Sequence, residues 1–310
     1  MITVSVASGK GGAGKTSLAA ALASVLGPGC IFADCDVDAA NGAIALGASI
    51  KDREPYFAGP GFRIEAGACT ACGICASTCR FSAIRRNPGT GEYSIMPGLC
   101  ERCGACLDAC PARAIFVYEK QSGELFVSDT RLGLSLAHAE LVPGEDSSGK
   151  LVRKVRERAG DLAEEDSVIV VDSSPGIGCP VIASLSGSDL VVIVVEASVS
   201  GIRDAGRLIE LVASTNKKAV ALINKAGLDR SMDLRARELI DRSGLPYAGE
   251  IPFDPALRSA EESGKTWVSL DGDASIRVRT VLRAIGGVID GLARKKARTS
   301  RETGQEKEKA

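Results

Sequence analysis

Residues 9–16 read Gly-Lys-Gly-Gly-Ala-Gly-Lys-Thr. An apolar run, Ile2 to Ala7, leads into them, and an Ala/Leu-rich stretch, Ser17 to Leu26, leads out. This is the strand, glycine loop, helix order of a phosphate-binding loop. Gly11, Gly12 and Gly14 let the backbone approach an anion and turn its N–H groups inward. The following helix points its positive end at the same place. Lys15 is placed to reach β- and γ-phosphates, and the Thr16 hydroxyl to sit on Mg²⁺. Gly9, Lys10, Ala13 and Ser17 complete the loop and its exit. The competing reading is a Gly-rich surface turn, which the flanking strand and helix disfavour.

Further apolar runs alternate with helical stretches. Cys30 to Ala33 reads as a buried strand ending in Asp34-Cys35-Asp36-Val37-Asp38, with Asn41 beyond. Ser167 to Val171 is a β-branched strand ending in Asp172, the place of a carboxylate that helps hold a Mg²⁺ shell. Leu190 to Val195, followed by Glu196, and Ala219 to Ile223, followed by Asn224-Lys225, repeat the pattern. Gly249 to Asp254, with Pro252, is a late strand and loop. Helices are expected near 202–214 and 276–292. Polar residues at strand ends lie at the ligand edge of an α/β sheet. The expected fold is α/β, a doubly wound and mostly parallel sheet with helices on both faces.

Two cysteine runs interrupt this pattern. Gly47, Pro55, Gly59, Pro60 and Gly61 mark a break. Cys69, Cys72, Cys75 and Cys79 form C-x₂-C-x₂-C-x₃-C; Cys100, Cys103, Cys106 and Cys110 repeat it, with Pro111 next. The spacing is that of the bacterial two-cluster ferredoxins, in which the fourth cysteine of each run serves the other cluster. One [4Fe–4S] cluster is therefore assigned to Cys69, Cys72, Cys75 and Cys110, and a second to Cys100, Cys103, Cys106 and Cys79. Two zinc sites or buried structural thiols are the alternatives; zinc favours four ligands in separated pairs. Arg80, not proline, follows the first run. The reading gives an inserted small α+β ferredoxin-type domain at 61–118 and a discontinuous domain at 1–60 and 119–292. Strands near 62–64 and 114–118 should close the insert, with hairpin strands from Glu119 to Val142. A loop at 143–152 should open a basic helix to about Ala163, and a charged tail at 293–310 is read as disordered.

The loop with its extra lysine, Lys10, resembles the deviant Walker A signature of the MinD/ParA/Mrp/nitrogenase iron-protein ATPases. The cysteine runs make the chain similar to members of that superfamily carrying a ferredoxin insert. The resemblance implies an ATPase using ATP and Mg²⁺. Asp36 would be the switch aspartate that positions the attacking water, Pro175-Gly176 part of the second switch, and Asn224 a reader of the adenine edge. Pro252 would lie beside the base. Lys10 would reach the nucleotide of a second subunit, in a homodimer or a heterodimer with a related chain. Cys179 lies seven positions past Asp172, where the nitrogenase iron protein has a cluster ligand; a small buried thiol is the other reading.

Three functions follow from the resemblance. The first is nucleotide-controlled electron transfer through two clusters to a redox partner. The second is an Mrp-like ATPase that assembles or carries iron–sulfur or metal cofactors to an acceptor protein. The third is a MinD-like positioning ATPase, disfavoured because the tail from Arg294 has no apolar face for a membrane surface. A formal charge of −1 and 4% aromatic residues give no case for nucleic acid. No apolar run approaches the roughly 18 residues of a membrane span, and the start does not read as a signal peptide. Eleven cysteines on that reading are cytoplasmic thiols and metal ligands rather than disulfides. His138, the one histidine, is read as a packing residue.

Overall fold

Ile2–Ala7 (β1), Cys30–Asp34 (β2), Val168–Asp172 and Leu190–Glu196 are apolar almost throughout, so each must be covered on both faces. A computed structural model of the chain, describing residues 1–145 and 149–308, places them side by side. Between β1 and β2 in sequence runs Lys15–Leu26 (α1). After β2 come Gly42–Leu46 (α2), Ala48–Tyr56 (β3), Gly59–Ile64 (β4), Ile74–Thr78 (α3), Ile84–Arg86 (β5), Tyr93–Ile95 (β6), Ala105–Ala109 (α4) and Ile115–Lys120 (β7). Gly123–Thr130 (β8), Ser135–Leu141 (β9) and Gly149–Asp161 (α5) follow. The rest alternates: Val168–Asp172 (β10), Cys179–Leu185 (α6), Leu190–Glu196 (β11), Val199–Ser214 (α7), Ala219–Ala226 (β12), Arg230–Arg242 (α8), Tyr247–Pro252 (β13), Pro255–Glu262 (α9) and Asp273–Glu308 (α10).

The chain divides into two compact units, one of residues 1–53, 125–140 and 147–310, the other of 54–124 and 141–146. The larger unit is built on a nine-stranded sheet of order β13-β12-β11-β1-β10-β2-β9-β8-β3. From β13 to β9 the pairings are parallel, so their carboxyl ends share one edge. From β1 the chain passes to β2 on one side, and from β10 it crosses to β11 on the other. The reversal opens a crevice at the carboxyl ends of β1 and β10, where such sheets bind ligands. Register puts Val6 opposite Asp172 and Asp172 opposite Asp34. Two carboxylates thus stand side by side at that edge.

Buried apolar side chains form separate clusters on the two faces of the sheet, Val192 and Val194 in one and Val191, Ile193 and Val195 in the other. Val4, Val6, Phe32, Val170, Val192 and Leu222 are fully buried, each such side chain stabilising by roughly 1.5–3 kcal/mol. Helix α1 packs closely because Ala19, Ala20, Ala21 and Ala23 offer little more than backbone. It begins at Lys15, two residues before the expected start. Strand β3 occupies much of the stretch at 47–62 read as a break, and the division between the two units falls within it, after Arg53. Its residues 49–55 are exposed, and a charged strand at the sheet edge resists pairing with another chain.

The smaller unit extends beyond the 61–118 read from sequence. Its β4 pairs with β7 antiparallel from Gly59↔Lys120 to Ile64↔Ile115, and β5 pairs with β6. Its helices α3 and α4 begin alike, after Gly73 at φ 78° and Gly104 at φ 80°. Ala71 and Arg102, at φ 55° and 56°, and Ser82 and Arg113, at 52° and 49°, repeat in step with the cysteines. The unit is therefore an internal duplication in backbone as well as in sequence.

The expected disordered tail is corrected over its described part: α10 continues unbroken from Asp273 to Glu308. Ala293, Arg294, Lys295, Lys296, Ala297 and Arg298 are all good helix formers, and Lys296 Nζ reaches Asp189 at 2.7 Å. Of the loop expected at 143–152, positions 146–148 lie outside the described residues. Among the described residues no helix is long and apolar enough to cross a membrane.

Candidate functional site

The loop at 9–16 closes over the amino end of α1. Gly14 caps the helix at φ 91°, a left-handed conformation, and a Cβ there would lie 2.3 Å from the Asn224 amide nitrogen. At Gly9 a Cβ would stand 2.2 Å from the backbone of Asp204 on α7, so only glycine lets the loop pass. Two distant residues hold the loop from the other side. Asn224 Nδ2 donates to the Ala13 carbonyl at 2.8 Å, and Lys225 Nζ to the Gly12 carbonyl at 2.7 Å. The Asn224 amide thus braces the loop through one of its N–H groups.

Behind the loop lies a cavity of about 800 Å³ at the sheet's carboxyl edge, within the range of small-molecule sites. Gly11, Gly12, Gly14, Lys15, Thr16 and Ser17 line it, together with Asp36, Asp38 and Asn41 and with Asn224, Pro252, Phe253, Leu257 and Trp267. The arrangement offers backbone donors and a lysine for an anion, and the apolar side chains of Pro252, Phe253, Leu257 and Trp267 in the same cavity. Trp267 is held by donating Nε1 to Glu261 at 2.7 Å; sequence reading missed it because its only signal was being the sole tryptophan.

The carboxylates differ in role. Thr16 Oγ1 donates to Asp172 Oδ2 at 2.5 Å, while the buried Asp172 Oδ1 has no hydrogen-bond partner. Burial, and then the neighbouring Asp34, push the Asp172 carboxyl well above its usual range. Asp34 is fully buried and accepts from the backbone of Gly42 at 2.7 Å and of Asp36 at 3.1 Å. It shapes the 35–42 loop, and burial pushes its pKa up to about 7. Asp36 is half-buried; desolvation raises its pKa while Lys15 pulls it down. Lys15 itself is 4% exposed.

Lys10 turns away from the loop within the chain. Its Nζ pairs with Glu196 Oε1 at 2.6 Å and reaches Ser198 and Ser200 Oγ at 3.3 Å each. Glu196 also takes Lys225 at 2.9 Å, and these contacts hold its carboxyl below the usual range against the opposing effect of its partial burial. Cys179 is exposed at the start of α6, not a buried thiol. His138 is buried on Phe126, ring centroids 5.0 Å apart, and shares a 2.9 Å hydrogen bond with Ser128.

In the smaller unit the eight cysteines of the two runs divide by cavity. Cys69, Cys72, Cys75 and Cys110 line one; Cys79, Cys100, Cys103 and Cys106 line another. Backbone N–H groups aim at sulfur in both: Ala71 to Cys69 at 3.4 Å, Ala114 to Cys110 at 3.3 Å, and Ala83 to Cys79 at 3.4 Å. Among the described residues no three His, Cys, Asp or Glu side chains gather as a single metal ion would require.

Comparison with known proteins adds a family. Residues 4–267 match the CobQ/CobB/MinD/ParA nucleotide binding domain. An uncharacterized protein of Methanocaldococcus jannaschii is 32% identical over 231 residues, 74% of this chain and 80% of that one. An uncharacterized ATP-binding protein of the same organism is 24% identical over 139 residues, 44% of this chain and 52% of the relative. Among solved structures, the MinD cell division protein of Aquifex aeolicus covers 93% of this chain and 98% of its own at 24% identity, with a TM-score of 0.53. The septum site-determining protein MinD complexed with Mg-ADP, from Pyrococcus horikoshii, gives 0.57 at 14% identity, over 94% and 98%. The last two are likenesses of fold.

Proposed function

The chain belongs to the CobQ/CobB/MinD/ParA family of nucleotide-binding domains, and on that premise we propose that it is an ATPase whose nucleotide cycle controls electron transfer through two [4Fe–4S] clusters. The observation that carries this reading is the sorting of eight cysteines, three from one run and one from the other, onto the linings of two separate cavities. A cubane spaces its four thiolates more widely than one ion does, because each binds a different iron. Eight cysteines in two ferredoxin-spaced runs fit clusters better than zinc, which favours four ligands in separated pairs. The N–H groups aimed at Cys69, Cys79 and Cys110 are the kind that hold cluster sulfurs.

When bound, the clusters supply one-electron redox chemistry; the cysteines named would hold them. In the larger unit Lys15 and the loop N–H groups take the β- and γ-phosphates, and Pro252, Phe253 and Trp267 flank the base. The unpartnered Asp172 oxygen and the Thr16 hydroxyl fit a hydrated Mg²⁺, which would neutralise phosphate charge. Asp36, half-buried near Lys15, orients the attacking water. The partners on this reading are a second related subunit, identical or not, and a redox acceptor protein.

Anaerobic preparation followed by iron analysis and EPR, with and without Mg-ATP, tests the reading. About eight irons per chain, from two four-iron sites, and a line shape or potential that moves with nucleotide are expected. Absence of iron would overturn the cluster assignment. ATP-driven loss of iron to an apo-acceptor, with the spectrum otherwise unchanged, would replace electron transfer by the carrier role.

A further inference from the structure

The two cysteine sets are alike in backbone but not in surroundings. Arg102 lies between Cys100 and Cys103 and lines the cavity of the second set. Its counterpart in the first run, Ala71, shares its left-handed backbone but has no side chain to pair. The Arg102 guanidinium pairs with Glu145, which also takes the Lys120 ammonium. The Glu145 side chain is 5% exposed, against 20% for each cation. Arg102 Nη1 also donates to Ser122 Oγ at 3.3 Å. Val142 N donates to the Ser122 carbonyl at 3.0 Å, anchoring the segment that carries Glu145. One carboxylate therefore pairs with two cations beside the second set, whose cavity Glu101 also lines, while the first run has alanine in place of Arg102.

We propose that Glu145 is a positioning residue that fixes Arg102 and sets the local charge at the Cys79, Cys100, Cys103 and Cys106 site, giving its cluster a potential separate from that of the first. The inference rests on the two-cluster reading above. A reduced cluster carries one more negative charge than an oxidised one, so uncompensated positive charge nearby favours reduction. With Glu145 neutralised, Arg102 and Lys120 stand unbalanced, and the midpoint of that cluster rises. With Arg102 removed, the group loses a positive charge and the midpoint falls.

The experiment is an anaerobic EPR redox titration of the full-length protein, with dithionite as reductant. It compares the parent with Glu145→Gln, Glu145→Asp, Arg102→Met and the double variant Glu145→Gln/Arg102→Met; Cys103→Ser identifies the second cluster's signal. The expected result is a rise in Glu145→Gln, a fall in Arg102→Met, a return toward the parent in the double variant and in Glu145→Asp, and no movement of the first cluster's midpoint. A loosened loop without an electrostatic role would move both single variants the same way and overturn the proposal. So would movement of both clusters together, or of neither while iron stays near the parent's content. If Glu145→Gln loses iron, Arg102→Met alone decides, and an unshifted or raised midpoint there overturns it. A parent without iron would be seen in the iron count, and would fail the two-cluster reading and this inference together.

Discussion

At the scale of single residues, charge and burial set the outcome. Lys15 is almost fully buried, with Asp34, Asp36 and Asp172 as charged neighbours. Lys15→Ala should weaken Mg-ATP binding by about 10- to 150-fold, the 1.5–3 kcal/mol of a charged hydrogen bond. Asp36→Ala should bind almost normally and stop turnover, since it faces the cavity without holding the loop; calorimetry beside phosphate release separates the two. Equal loss of binding in both would end the water-positioning role. His138 gives a pH test. Burial pushes its pKa down to about 4, so between the unfolded value near 6.5 and about 4 the unfolded chain takes a proton that the folded chain refuses. Its share of stability is whole above pH 6.5 and lost as pH falls through that window, by about 2 kcal/mol at pH 5. Urea unfolding at pH 7 and pH 5 should show a smaller fall for His138→Gln than for the parent. Lys15, Thr16 and Asp172 were legible because fixed spacing from a strand places them. The grip of Asn224 and Lys225 on the loop was not, since their partners lie some two hundred residues away in sequence.

Among elements, the buried parallel strands declared themselves as continuous apolar runs, because both faces are covered. Strand β3 did not: at the sheet edge it needs little apolar surface, and its charged residues read as loop. Helices α8 and α9 were also missed. Their exposed faces are charged, with i,i+4 pairs such as Arg237–Asp241 and Arg258–Glu262, which dilute the apolar stripe; their caps, Asp229 and Asp254, were the available signal. In the smaller unit, the 3+1 division of cysteines was legible from spacing, whereas Glu145 was not, being separated from Arg102 by the whole β7–β9 course. Swapped ligands provide the test at this scale. Cys110→Ser should disturb the EPR signal that Cys72→Ser disturbs, and Cys79→Ser the one that Cys103→Ser disturbs. If each fourth cysteine instead tracked its own run, the crossed arrangement would be wrong.

For the molecule as a whole, the decisive question is whether nucleotide brings two chains together. Within one chain Lys10 is satisfied by Glu196 at 2.6 Å and by two serine hydroxyls, so it contributes nothing to its own loop. Reaching a partner's phosphate would exchange the pair with Glu196, whose side chains are 27% and 13% exposed, for a charge-assisted contact with a more highly charged group. Glu196 would keep Lys225 as its cation and not be stranded. That exchange is favourable only when a γ-phosphate is present, which makes association depend on ATP rather than ADP. Asp36→Ala should hold ATP unhydrolysed and trap the associated state. In sedimentation, Asp36→Ala should therefore run as a dimer with Mg-ATP and as a monomer with Mg-ADP. Adding Lys10→Ala should return the ATP form to monomer without abolishing nucleotide binding. Glu196→Gln, which loosens Lys10 beforehand, should shift association to lower protein concentration. Should Lys10→Ala associate as well as its parent, Lys10 has no partner phosphate to reach, and its bond to Glu196 is its final position rather than a resting one.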